Sequence, residues 1–242
     1  MKVNKKNRLT VTGVLAGICV AALILGAAVS ITVMFRPLYY HDMKAFDVAA
    51  RAGMSEEDVR ANYDALIDYN LWSPLPPEPE LEFPTLAMSE NGRTHFREVR
   101  EIFGVFHLLY WGGLIGTLIA ARAMHKRRLS PRFLQLGAIL AVAVPAAVGA
   151  LLAAVGWDQA FVVLHGLLFD NDYWIFDAQT DPVITILPDA FFLHCLEMIL
   201  AIIVCLAALL FFEGGHLMRK AAAAVSNNSE RRMQNDQELL RH

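Results

Sequence analysis

Apolar positions in this chain gather into four long runs separated by polar segments of unequal length. The runs are Val11–Met34, Ile102–Met124, Phe133–Gly156 and Ala190–Met218. About 20 mostly apolar residues are enough for a helix to cross the hydrocarbon of a bilayer, and each run reaches that length. The pattern predicts an all-α, polytopic membrane protein with four transmembrane helices. The first run follows the basic stretch MKVNKKNR, as a signal peptide would. It is longer than the roughly 7–15 residues of a signal core, and no clean small-residue cleavage site follows, so it is read as a retained span.

Charge then orients the spans. Lys2, Lys5, Lys6 and Arg8 precede the first run. Arg122, Lys126, Arg127, Arg128 and Arg132 flank the connection 125–132, and Arg219, Lys220, Arg231, Arg232 and Arg241 follow the last run. With four crossings all three groups fall on one side, and basic flanks stay cytoplasmic. Residues 1–10 and 219–242 are therefore expected inside, and segments 36–101 and 157–189 outside. The second outer segment agrees: it carries Asp158, Asp170, Asp172, Asp177, Asp181 and Asp189 and neither Lys nor Arg. The expected location is a cell membrane, with any chemistry at the outer face.

The outer segments have patterns of their own. KAFDVAARAG reads as an amphipathic stretch within Arg36–Gly53. Ser55 with Asp58 reads as a capping box that starts a helix through DVRANYDALIDYN. PLPPEPELEFP is a stiff, extended linker by composition. FVVLHGLLF is too short to span, which predicts a re-entrant or interfacial outer loop. The tail after Lys220 is polar and is expected to be disordered.

Composition narrows the function classes. Hydrophobic residues make up 56% of the 242, and the formal net charge is only -3, too little to attract nucleic acid. AARAGMSEEDVRANYDAL has the rhythm of a helix-turn-helix, but it is acidic and lies on the expected outer side. Cys19, Cys195 and Cys205 all sit in apolar runs without a CxxC pair, so no disulfide framework or thiolate zinc site is indicated. No GxSxG, HExxH, P-loop or dinucleotide turn is present.

Candidate chemistry therefore falls to the eight histidines, whose charge changes near neutral pH. His95 stands where the outer segment enters the second span, among Arg93, Arg97 and Arg100, with Glu98 one turn on and able to hold the imidazole in one tautomer. The plainer reading is an interfacial charge cluster. His165 sits in the short apolar stretch of the outer loop, where a polar residue at membrane depth marks a functional candidate; the plainer reading is a ring bonded to backbone. The aspartates after it, Asp170, Asp172, Asp177 and Asp181, could orient a base, bind a cation or merely solvate a loop. His194 and Glu197 share a helix face and are expected to point into the bundle, paired with each other or with an arginine. His107, a turn into the second span, adds only a weak haem idea. Two histidines without a protein nucleophile suggest direct acid–base catalysis of a transfer between groups of the substrate.

Specific residues carry a resemblance. In the outer loop Phe161, His165, Phe169, Asn171, Asp172, Trp174, Asp177, Asp181, Ile184, Pro188, Phe191 and Phe192 follow the pattern of the lipoprotein intramolecular transacylases, a bacterial family of four-span membrane proteins. HFREVREIF is similar to a second family block and puts His95 on its histidine, with Phe96, Glu98 and Arg100 departing in identity but not in type. Asn62, Tyr63 and Tyr69 resemble a third, weaker block. The resemblance implies an enzyme that moves the sn-2 acyl chain of a diacylglyceryl lipoprotein to the α-amino group of its N-terminal cysteine, giving a lyso-form lipoprotein. It implies His95 and His165 as the catalytic pair, with Glu98, Arg93, Arg97, Arg100, Asn171, Asp172, Trp174, Asp177 and Asp181 supporting or binding substrate. Lipoprotein and membrane lipid would be the partners, and no metal or cofactor is required. Two alternatives remain open from sequence: a non-catalytic membrane sensor or assembly protein, and a metal-dependent membrane hydrolase.

Overall fold

Small residues and caps decide how the spans meet. The structure, a computed structural model, describes residues 10–71, 80–126 and 129–239. Lys2, Lys5, Lys6 and Arg8, most of the proline-rich linker, Arg127 and Arg128, and Arg241 lie outside the described residues. Helix α1 (Val11–Met34) starts where the Thr10 hydroxyl accepts the Gly13 N–H at 3.1 Å. It packs against all three other long helices: α5 (Glu90–His125), α6 (Arg132–Val155) and α8 (Asp189–Leu239). Lipid tails are as apolar as leucine, so close backbone approach has to supply the adhesion. A Cβ on Gly26 would lie 2.7 Å from the Phe106 carbonyl oxygen, and one on Gly113 would lie 2.8 Å from that of Cys19. Glycine is the side chain that lets α1 and α5 touch at these two levels.

The four helices are each long and apolar enough to cross a membrane. α1 has the expected bounds, and α6 is displaced by one residue at each end. Two elements differ. α5 is capped by Ser89, whose hydroxyl accepts the Gly92 N–H at 3.0 Å, and its first residue, Glu90, lies twelve residues before the apolar run. Its 36 residues span about 54 Å against a hydrocarbon thickness of about 30 Å. The charged first three turns, Glu90–Glu101, lie outside the apolar run and carry His95. α8 does not end near Met218 but continues to Leu239, so the disorder expected after Lys220 is corrected. Ala221–Ala224 are the best helix formers, and the described residues beyond Gly215 contain neither proline nor glycine to stop the helix.

A helical cap sits on one end of the bundle. It comprises α2 (Arg36–Ala45), α3 (Val48–Ala52), α4 (Glu56–Asn70), α7 (Trp157–Leu168) and a 3-10 turn at Pro182–Ile186. Ser55 caps α4 as expected, with its hydroxyl accepting the Asp58 N–H at 3.0 Å. The returning bond differs from a full capping box, because Asp58 accepts from the Ser55 hydroxyl rather than from its backbone. Tyr39 and Tyr63 stack at 3.6 Å, and Phe191 of α8 meets both edge-on. The Tyr39 hydroxyl donates to the Ile186 carbonyl at 2.7 Å, which ties the second cap segment to the first. Buried Asn62 holds Thr85 by backbone and side chain, fixing the chain just before α5.

The reading of His194 and Glu197 is corrected. His194 bonds Asp42 of α2 at 2.8 Å, and Asp42 is buried. Glu197 is exposed on the side of α8 away from the bundle and forms no ion pair among the described residues. Sequence spacing put the two on one face; it could not show that α2 supplies the carboxylate.

Candidate active site

α7 has only 12 residues, and it leaves Val162, Val163, Leu164, Leu167 and Leu168 exposed. An apolar face on so short a helix suits a position along a bilayer interface rather than across it. His165 lies one turn after Phe161, and two consequences follow from that spacing. Its ring lies over the Phe161 ring at 4.0 Å. Its Nδ1 is 2.8 Å from the Phe161 carbonyl oxygen. A carbonyl only accepts, so Nδ1 carries the hydrogen and the neutral ring presents Nε2 as a bare acceptor. Trp174 covers the ring at 4.8 Å.

The helix then stops. Phe169 turns to extended backbone with its N–H on the His165 carbonyl, which brings its ring 5.7 Å from His165 and 4.8 Å from His95. His95 is 6% exposed, walled by Phe96, Phe169 and Phe176, and its Nδ1 is buried without a partner among the described residues. The two imidazole centroids are 6.5 Å apart. Residues seventy positions apart in the chain thus face each other inside an aromatic box.

Asp181 joins the two sides. It is 3% exposed, accepts the Ser89 N–H at 2.8 Å and the Thr180 hydroxyl at 2.8 Å, and packs on Gly92, where a Cβ would strike its carboxylate. The loop that follows α7 is thereby latched to the first turn of α5, one turn before His95, and the negative charge suits a helix N-terminus. Asp177 organises that loop by accepting from Gln179, Thr180 and Asp181 backbone N–H groups. Asn171 donates to Glu98 Oε1 at 2.9 Å.

Other expectations are revised. Glu98 does not orient His95; its bond goes to Asn171. Arg93 donates to the Leu81 carbonyl, Arg97 is exposed, and Arg100 lies over the Tyr69 ring. None of the three bonds to either imidazole among the described residues. Asp172 is exposed, and among the described residues only its backbone carbonyl is engaged, by Ile175. Among the described residues no three His, Cys, Asp or Glu side chains are grouped to hold a metal ion. Phe176 escaped the sequence reading because an apolar residue in a loop gives no signal of what it covers.

Burial pushes the His95 pKa from 6.5 down to about 4, and the charge of His165 adds to the effect; burial also lowers His165, against a smaller raising effect of the Phe161 carbonyl. Both rings are neutral at pH 7. For His95 the folded pKa lies below the unfolded value, so the unfolded chain binds the extra proton first. Stability is full above pH 6.5 and is lost as pH falls from 6.5 towards 4, by up to about 3 kcal/mol. Thermal unfolding in that window should fall more steeply for the native protein than for a His95→Phe variant. Equal slopes would show that His95 is not held neutral by burial.

Comparison with known proteins agrees with this architecture. The family described as "Lipoprotein intramolecular transacylase Lit" matches residues 14–192. The structure of the membrane integral lipoprotein intramolecular transacylase Lit from Bacillus cereus superposes with a TM-score of 0.79 at 31% identity, covering 88% of this chain and 96% of that one. Structures of the same protein with one histidine changed to arginine or to alanine give TM-scores of 0.76 at 30% and 31% identity, each over 88% of this chain and over 93% and 94% of theirs. No curated protein sequence matches. The family match across 179 residues and the shared helical fold place this membrane protein in the lipoprotein intramolecular transacylase family.

Proposed function

We propose that this transacylase moves the sn-2 acyl chain of a diacylglyceryl lipoprotein to the α-amino group of the lipoprotein's own N-terminal cysteine, at His95 and His165. The observation that carries the reading is the meeting of these two imidazoles in an apolar box beside an interfacial helix. The orientation that fits the basic flanks puts both termini in the cytoplasm and the cap at the outer face of a bacterial plasma membrane. The exposed apolar face of α7 then lies where the substrate's acyl chains reside, and membrane lipid surrounds both.

His165 is the base in this scheme, because its Nδ1–H is committed to Phe161 and Nε2 is left to accept. The substrate amine gives a proton to Nε2 as its lone pair attacks the ester carbonyl. The C–O bond to glycerol then breaks, and the glycerol oxygen takes up the proton through His95. Amine and ester belong to one molecule, so effective molarity replaces a protein nucleophile. Asp181, Asp177 and Trp174 hold the two histidines in register, and Asn171 and Glu98 line the approach beneath them. Arg93, Arg97, Arg100 and Asp172 are left to contacts with lipid headgroups and with the peptide that follows the cysteine.

A mixed-label assay tests the intramolecular step. Two lipopeptides of different sequence, one with a heavy sn-2 chain, are incubated together with the purified protein. The heavy chain is expected only on the nitrogen of its own peptide. Heavy chain on the other peptide would contradict the proposal.

A further inference from the structure

A carboxylate out of water normally has a cation or several donors around it. Among the described residues Glu98 has one donor. Its Oε1 accepts from Asn171 at 2.9 Å, while Oε2 is buried and has no hydrogen-bond partner among the described residues. The nearby arginines do not supply the missing charge: Arg93 is on the Leu81 carbonyl, Arg97 is exposed and Arg100 is over Tyr69. Among the described residues Glu98 takes part in no ion pair.

Its place is defined by two elements. It stands one helical turn from His95 on the same face of α5. It is tethered by Asn171, two residues beyond the Phe169 ring that touches both histidines. The unpaired oxygen thus belongs to a side chain one helical turn from His95 and is bonded to neither ring among the described residues.

We propose that Glu98 Oε2 receives the α-ammonium group of the lipoprotein's N-terminal cysteine. The inference rests on the site reading given above and names the group that selects the acceptor end of the substrate. The cation that the carboxylate lacks is the one the substrate brings. One ammonium N–H bonds to Oε2 as a charge-assisted contact, a first proton leaves through His165 Nε2 to solvent, and the freed lone pair attacks the ester. As the C–N bond forms the nitrogen gives a second proton to the regenerated Nε2, and as the C–O bond to glycerol breaks the glycerol oxygen takes up a proton through His95. An N-blocked substrate loses the contact as well as the nucleophile.

The test is binding, measured in a His165→Ala background so that nothing turns over. A diacylglyceryl lipopeptide with a free α-amine is compared with its N-acetyl counterpart. The background protein is expected to bind the free amine about tenfold more tightly, the worth of one charge-assisted hydrogen bond. Glu98→Gln keeps the bond to Asn171 and should erase the preference, while Glu98→Asp should keep part of it. An undiminished preference in the Gln variant overturns the assignment, and so does a background protein that never prefers the free amine. The latter readout stands even if the Gln variant does not fold. Native protein is scored separately for N-acyl product: product without any amine preference rejects only the Glu98 assignment, whereas preference without product counts against the His95–His165 reading.

Discussion

His165→Ala and His95→Ala are each expected to lower acyl transfer by about 10²–10⁴-fold, the usual worth of a positioned acid or base. For His165 the fold should survive. Its ring is half-buried, its bond runs to a carbonyl within its own helix, and alanine is a good helix former. The melting temperature of the purified variant should stay within a few degrees of native. His95 is different, because its ring fills the space between Phe96, Phe169 and Phe176. Removing it also opens a cavity, so some loss of stability should accompany the loss of rate. Turnover above a tenth of native in a well-folded His165→Ala protein would remove the base from the scheme.

The second large effect lies at the α1–α5 contact. A Cβ on Gly113 would meet the backbone of Leu23 and Cys19, and one on Gly26 the backbone of Tyr110 and Phe106. Backbone cannot rotate away as a side-chain tip can. Gly26→Ala or Gly113→Ala should therefore cost at least about 3 kcal/mol, the upper end for overpacking, and substitution by valine should cost more. The α5 helix that carries His95 would be pushed off the bundle, so activity should fall with stability. A Gly112→Ala control, where nothing lies within 4 Å of the added methyl, should change neither. Thermal unfolding in detergent decides it, and a Gly113→Val protein as stable as native would refute the packing account.

The spans were legible because a bilayer imposes length on apolar runs, which is why α1 and α6 matched closely. The starting point of α5 was not, because its charged first turns lie outside the apolar run and give no spanning signal, while the cap at Ser89 and the Asp181 latch set where the helix begins. The end of α8 misled for the opposite reason: a polar stretch without glycine or proline stays helical even where it packs on nothing. At the site, His95 and His165 stood out by residue type and by resemblance. Their juxtaposition did not, since it depends on Phe169 leaving α7 and on Asp181 meeting Gly92. The Glu98–Asn171 and Asp42–His194 bonds are of the same kind: local spacing offered Glu98 the nearer His95 and His194 the nearer Glu197, and tertiary packing chose other partners.

A bacterium that makes only diacylglyceryl lipoproteins would express the native chain or its His165→Ala form, and one reporter lipoprotein would be analysed by tandem fragmentation of its N-terminal peptide. Intact mass is blind, because intramolecular transfer leaves it unchanged. With the native protein an acyl chain is expected on the cysteine nitrogen, and with the variant a free amine. A free amine despite good expression of the native protein, or an acylated nitrogen with His165→Ala, would contradict this expectation.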